Sequence, residues 1–243
     1  MGVVGQGRLG TALAAALRQA GVKVDGPAGR EEVPAGEAIV LCVPDSEIPD
    51  AAEVVGGAAR LVGHTSGATP LSALAPATGS EQFGLHPLQT FPEGADPSLF
   101  RGVGCAIAGS TPTALSAART IAEHLGMRPF EIEDEGRAAY HAAASISSNF
   151  LIALEAAAEW VAAGAGLERE QARALLAPLV RHTVENWAEL GPRRALTGPV
   201  ARGDEATVAA QRTAVSETAP ELLALFDELV ERTRALAAQE ALA

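Results

Sequence analysis

Two regimes of apolar and polar positions divide the chain. From Met1 to Ile132, short apolar runs alternate with stretches whose apolar residues recur at helical spacing. Strands are predicted at the first residues, at Val22 to Gly26, Ala38 to Val43, Arg60 to His64, Gln82 to Leu85, Gly102 to Ala108 and Met127 to Ile132. Helices are predicted from Arg8 to Gln19, Ile48 to Val55, Pro70 to Leu74 and Pro112 to Leu125, with a loop at Pro27 to Arg30. From Asp134 onward only helical periodicity remains. Asp134 is read as the N-cap of one long helix reaching Ala163, roughly 40 Å at 1.5 Å per residue, apolar on more than one face and therefore buried at the centre of its domain. A striped helix over Leu167 to Leu190, a loop over Gly191 to Gly203, a helix opened by Asp204 and a last helix opened by a capping box at Thr218 to Glu221 and running to Gln239 follow. The pattern predicts an alternating α/β domain over 1–131 and an all-α domain over 132–243.

The first strand runs into Gly5-Gln6-Gly7-Arg8-Leu9-Gly10, the G-x-G-x-x-G spacing of a dinucleotide site. Gly5 permits the tight turn, Gly7 lets a pyrophosphate approach the backbone, and Gly10 lets the helix pack on the strand. The N-terminus of that helix would face the anion with free N–H groups and its positive dipole end. Only Glu31 to Glu37 separates the loop after the second strand from the third, so one sheet edge is expected to be cut back.

A formal charge of −12 at pH 7 excludes the basic surface that nucleic acid or an anionic membrane selects. Cys42 and Cys105 both lie in apolar runs, as small core residues rather than a disulfide framework or metal site, and a reducing, cytoplasmic setting is expected. There is no export signal and no apolar run of membrane-spanning length, although the chain begins almost on its first strand, so its start could be truncated.

Ligands of an open parallel sheet bind beyond the carboxyl ends of its strands. That rule gathers Gly5 to Gly10, Arg30, Val43-Pro44-Asp45, His64-Thr65-Ser66-Gly67 and His86 to Thr90 on one rim. Arg30 is the candidate for an adenosine 2′-phosphate, which favours NADP, with NAD and a ribose bond to Asp25 as the alternative. On the long helix His141, Ser145, Ser148 and Asn149 share a face and are candidates to meet a substrate. Gln89 and Thr90 on the rim, and Thr197 and Arg202 in the loop before Asp204, are further substrate-binding candidates. Lys23 is the only lysine and is placed in the second strand, so no lysine of the helical domain can protonate a reduced carbonyl. The donor falls to His86 or His141, with Tyr140 and water as alternatives, because an ordinary histidine near pKa 6.5 donates and recovers a proton at neutral pH.

These motifs, together with Tyr140-His141-Ala142-Ala143, Ser148-Asn149 and Ala195 to Asp204, resemble a family of Rossmann-like proteins with a C-terminal helical domain of unknown function, generally labelled oxidoreductases. Their architecture is similar to that of ketopantoate reductase, pyrroline-5-carboxylate reductase and the deazaflavin-linked NADP reductases. The resemblance implies an N-terminal NAD(P) domain, a 6-phosphogluconate-dehydrogenase-like helical domain and a homodimer joined through the helices. Asn149 matches the asparagine that ketopantoate reductase carries one turn after a lysine, but Ser145 stands at the lysine position. The expected activity is reduction of a small carbonyl or imine in a cleft between the domains, with a non-catalytic nucleotide sensor on the same fold as the alternative.

Overall fold

The computed structural model describes residues 1–238. Gln239, the expected last residue of the final helix, lies outside the described residues. Seven strands form one sheet in the order β2-β1-β3-β4-β5-β6-β7. They are β1 (Gly2–Val4), β2 (Asp25–Ala28), β3 (Ala38–Leu41), β4 (Leu61–His64), β5 (Glu81–Pro87), β6 (Gly104–Gly109) and β7 (Arg128–Glu131). All neighbours are parallel except β5 and β6, which pair antiparallel from Phe83 opposite Gly109 to Pro87 opposite Cys105. From β1 the chain steps to β2 on one side and then to β3 on the other, so the order reverses at β1, the strand that carries the glycine turn.

Helices α1 (Arg8–Gln19) and α3 (Pro112–His124) cover one face of the sheet. Their Leu13, Leu17, Ala114 and Ala118 pack with Val3, Val40, Phe83, Leu85 and Ile107. The other face receives α2 (Ile48–Val54) and the 3-10 turn Leu71–Leu74, with Ile39, Leu41, Ile48, Val62 and Leu74 fully buried. Alternation along β4 and β5 assigns their histidines to this second face. Gly63 and Phe83 meet on the first face, so His64, Gly84 and His86 project from the other.

The second strand lies three residues later than its apolar pattern predicts. Val22 and Val24 pack against the core from an extended connection, and the ladder begins only where Asp25 pairs with Gly2. Lys23 therefore precedes β2, and its carbonyl accepts from the amino group of Met1. Pro27 and Ala28, expected in a loop, complete the edge strand. Gly26 has φ +110°, and a Cβ there would stand 2.2 Å from the Val3 carbonyl oxygen.

The single long helix expected from Asp134 is broken. A 3-10 turn at Asp134–Gly136 leads into α4 (Arg137–Ser147), Ser148 leaves helical geometry at φ −127° and ψ −76°, and α5 (Asn149–Ala162) begins afresh. The Ser148 hydroxyl donates to the Ala144 carbonyl at 2.7 Å, a local bond that competes with the regular ladder. Apolar periodicity continues across the break, which is why it reads as one helix.

The chain parts into two compact units, Met1–Ser148 and the chain from Asn149 onward. The change of pattern after Glu131 does not coincide with that parting. Asp134 accepts from the backbone N–H of Leu71, and Tyr140 bonds to His86, so the 3-10 turn and α4 are tied to the sheet.

Within the second unit run α6 (Arg169–Ala195), α7 (Pro199–Arg202), α8 (Glu205–Thr218) and α9 (Leu223–Ala238). The expected loop from Gly191 is largely helical, with a kink at Gly191 (φ 77°, ψ 167°) and the short α7. Asp204 caps α8 through Thr207 as expected. The capping box at Thr218 does not form, because α8 extends through Thr218 and the last helix opens from Ala219 without a side-chain cap. The expected burial of the helix after Asp134 also fails in the single chain. Ile152 is 70% exposed, and α5 has no buried residue. Among the described residues no single helix is long and apolar enough to cross a membrane.

Candidate active site

The glycine turn separates three physical roles. Gly5 adopts φ +107°, and a Cβ on it would collide with the Cys42 carbonyl at 2.2 Å. A Cβ on Gly10 would stand 1.9 Å from the Gly5 carbonyl oxygen, so α1 can pack this closely on β1 only without a side chain. Gly7 differs, since it has ordinary extended geometry and a Cβ there meets nothing within 4 Å. It is the N-cap of α1, with no side-chain cap and no acidic residue in the first turn. The helix therefore presents bare N–H groups and its positive end to open space, a ready seat for an anion. Gln6 and Arg8 flank this space as exposed residues, and Gln6 Nε2 reaches the Pro27 carbonyl at 3.5 Å. Leu9 leans into the apolar core behind it.

Arg30 stands after β2 and pairs with Glu47 at 2.6 Å. Asp25 accepts from the Ala35 N–H at 2.7 Å, which fixes the loop rather than leaving a carboxylate on the rim. Val43 packs on the apolar core and Pro44 opens the turn Asp45–Glu47. Ser66 donates to Asp45 at 2.8 Å and accepts from the N–H groups of Ala68 and Thr69 at 3.2 and 2.9 Å, so its hydroxyl is occupied in shaping the loop. Gln89 and Thr90 lie exposed after β5, with the Gln89 side chain accepting from the Thr90 N–H. Cys105 is sealed in the core and Cys42 lies under the glycine turn, and burial pushes both thiols up to about 12.

The densest polar group sits at the ends of β4 and β5, where α4 covers them. His86 lies within the last turn of the ladder rather than after it. Its Nδ1 is 2.6 Å from the Tyr140 hydroxyl, and its ring centroid is 5.5 Å from that of Tyr140 and 6.3 Å from that of His141. Gly67 closes the other side, since a Cβ there would meet the His86 ring at 2.8 Å. Burial, then the neighbouring His141 and Arg137, holds His86 down at about 4, and burial raises Tyr140 to about 12. Both are neutral at pH 7. The expectation that His86 donates from an ordinary histidine pKa therefore needs a different form, in which a neutral ring offers its N–H.

His64 is fully buried, and its Nδ1 accepts from the Ser66 N–H at 3.2 Å, which places its proton on Nε2. Desolvation, with Arg137 nearby, lowers it to about 4 as well. Arg137 is the group that sequence reasoning missed. It is 3% exposed, donates through Nε to Asp134 at 2.7 Å, and lies over Gly84 beside both histidines. The available signal was spacing, because Arg137, Tyr140 and His141 stand at i, i+3 and i+4 and share a helix face.

His141 is exposed on α4, and Ser145 lies one turn further along it, so the structure brings His86 and His141 together. Asn149, Thr197 and Arg202 belong to the second unit, at the start of α5, ahead of α7 and at the end of α7.

A parallel sheet that reverses at β1, an N-terminal glycine turn and a helical C-terminal region define a Rossmann-type fold of the dehydrogenase kind. The chain belongs to the family of the domain of unknown function DUF2520, whose pattern matches residues 103–233. A solved protein of Bacteroides fragilis, provisionally named as an NADP oxidoreductase, is 22% identical, with 96% of this chain and 97% of that one covered at a TM-score of 0.80. A Thermotoga maritima protein is 24% identical over 99% of both chains, at a TM-score of 0.79. The pyrroline carboxylate reductase of Plasmodium falciparum, solved with NADP bound, is 15% identical over 97% of both, at 0.62. These likenesses establish the fold. None of the curated proteins matches the chain.

Proposed function

We propose that the protein is an NADP(H)-dependent reductase of a small carbonyl or imine compound. The observation that carries this reading is the contrast within the glycine turn, where side chains at Gly5 and Gly10 would strike backbone while Gly7 opens on free space at an uncapped helix N-terminus. Gly5 to Gly10 would hold the pyrophosphate, and Val43 and Pro44 would border the cofactor further along the rim. Arg30 would take the 2′-phosphate by leaving Glu47, an exchange that an exposed ion pair permits because such a pair is worth at most about 1 kcal/mol. NADPH, when bound, supplies the hydride. The NADP complex of the Plasmodium reductase and its shared fold support that choice of cofactor.

The protein's own part is to hold the substrate and deliver a proton. Tyr140 donates its hydroxyl proton toward His86 Nδ1, which leaves the His86 proton on Nε2 facing the rim. As the substrate oxygen or nitrogen takes that proton, Nδ1 gains the one from Tyr140, so the histidine stays neutral, and the Tyr140 oxygen, left as a phenolate, takes back a proton from solvent. His141 and Ser145, on the same helix as Tyr140, line the approach. The second unit also carries a homodimer interface, since Phe150, Ile152, Leu175, Leu179 and Trp187 are all more than half exposed in the single chain. Reduced thiols and a charge of −12 fit a cytoplasmic enzyme with no nucleic-acid or membrane partner.

Loss of NADPH absorbance across a panel of carbonyl and imine compounds tests the activity. With a substrate found, His86→Gln should lower kcat by on the order of 10² to 10⁴ with NADP+ affinity unchanged. Tyr140→Phe should share that loss, and His141→Gln should act mainly on KM. Full turnover in His86→Gln would remove the relay.

A further inference from the structure

Arg137 carries five N–H donors, of which the protein uses only Nε, on Asp134 at 2.7 Å. Its side chain is 4% exposed, and neither Nη nitrogen has a hydrogen-bond partner among the described residues. Buried donors are nearly always matched, because each unmatched one costs about 1–3 kcal/mol. Among the described residues His64 Nε2 is the side-chain atom that is both sealed and unpartnered, so the outer nitrogens of Arg137 keep an opening.

That opening belongs to the rim. A Cβ on Gly84 would lie 3.0 Å from Arg137 Nη2, and Gly84 and His86 project from the same face of β5. Positions two apart along a strand are separated by about 6.8 Å, so a short compound held at one end by Arg137 would present its other polar group toward His86. Asp134 is already engaged by Nε, and Asp45, near the two histidines, by Ser66 at 2.8 Å. Dinucleotide phosphates are too distant to be the missing acceptor, since β1, which carries Gly7, stands three strand spacings, about 14 Å, from β5.

We propose that the outer edge of Arg137 is the seat of a substrate carboxylate, so that the compound reduced beside His86 is a short oxo acid or the corresponding imino acid. This rests on the reductase reading of the rim. The planar fork of a guanidinium matches the two oxygens of a carboxylate, and the Nη edge left open beside the Asp134 bond favours an anionic substrate over its neutral ester.

The test uses the full-length protein and three short oxo acids, pyruvate, 2-oxobutyrate and acetoacetate, each beside its methyl ester. Saturation-transfer NMR titrations give their affinities, and calorimetry on the same samples gives the affinity for NADP+. At least one acid should bind at least tenfold more tightly than its ester. Arg137→Gln should erase that preference and Arg137→Lys, which keeps the charge but not the fork, should retain part of it, both with NADP+ affinity within twofold of the wild type. Should Arg137→Gln fail to fold, the acid-to-ester ratios of the wild type and Arg137→Lys still decide. Equal binding of acid and ester, no binding of any acid, or an undiminished preference in Arg137→Gln would overturn the seat. Failure of the wild type to bind NADP+ would instead overturn the reductase reading, whatever the acids do.

Discussion

The sheet unit and the helical unit of this chain handle apolar surface in opposite ways. In the first, Val3, Leu13, Ile39, Leu41, Phe83 and Leu85 have no exposure at all, and the large polar groups concentrate at the strand ends. In the second, the buried apolar residues among those described are Ala172, Val208, Val215, Ala219 and Val230, while Leu175 and Leu179 stand 60% and 63% open. Burial of apolar area is the main favourable term in folding, about 25 cal/mol per Å². A unit that leaves its leucines and tryptophans open while sealing alanines and valines has its largest apolar surfaces available for another partner. The sheet unit completes its core by itself, and its chemistry sits where that core ends.

One leucine substitution in each unit should have opposite effects. Leu85→Ala should cost about 2–5 kcal/mol in urea unfolding and leave the oligomeric state alone. Leu179→Asp should do the reverse, turning a dimer at micromolar concentration into a monomer in sedimentation velocity while the sheet unit melts as before. A wild type that sediments as a monomer at all concentrations, or a Leu179→Asp variant that remains a dimer, would remove the assignment of that surface to a second copy.

A smaller effect separates the units by pH. His64 titrates near 6.5 when unfolded and about 4 in the folded protein, so the unfolded chain takes up the proton first as the solution is acidified. The stability it contributes is complete above pH 6.5 and is lost as the pH falls toward 4. Between pH 7 and pH 5 this amounts to about 2 kcal/mol for one histidine. Urea midpoints at the two pH values should show the fall, and His64→Asn should reduce it by about that amount. An unchanged pH dependence in His64→Asn would show that His64 is not held neutral by its burial.

The weakest expected change in stability is at Arg30. Arg30→Ala removes an exposed pair with Glu47, so the melting temperature should hardly move. Calorimetry should nevertheless show NADP+ falling to the affinity of NAD+. Retained selectivity would make Arg30 an ordinary loop charge.

What could be read from the sequence divides along the same line. The first βα unit was legible because each of its glycines answers a local requirement, and α1 begins and ends where its pattern says it should, at Arg8 and Gln19. The position of β2 was not, since Val22 and Val24 alternate like strand residues yet pack from a connection, and only pairing with β1 sets the ladder. The break at Ser148 was hidden because a serine bonding its own helix leaves the apolar period intact. Arg137 escaped notice for a different reason. What makes it unusual is its burial over Gly84 and the bond of its partner Asp134 to Leu71, contacts across 53 and 63 residues that no local pattern encodes. The histidines at the rim were legible as residues, but not the burial that lowers them.

If the space beside Gly7 receives the pyrophosphate of NADP(H), a side chain placed there must block it. Gly7 has ordinary extended geometry and nothing within 4 Å of a Cβ, so Gly7→Val should fold and melt like the wild type. Titration calorimetry of NADP+ into both proteins should then show binding to the wild type and a loss of at least about tenfold in Gly7→Val, as a side chain occupies the place where backbone and phosphate must meet. No NADP+ binding to the wild type, or equal affinity in a folded Gly7→Val, would contradict the account.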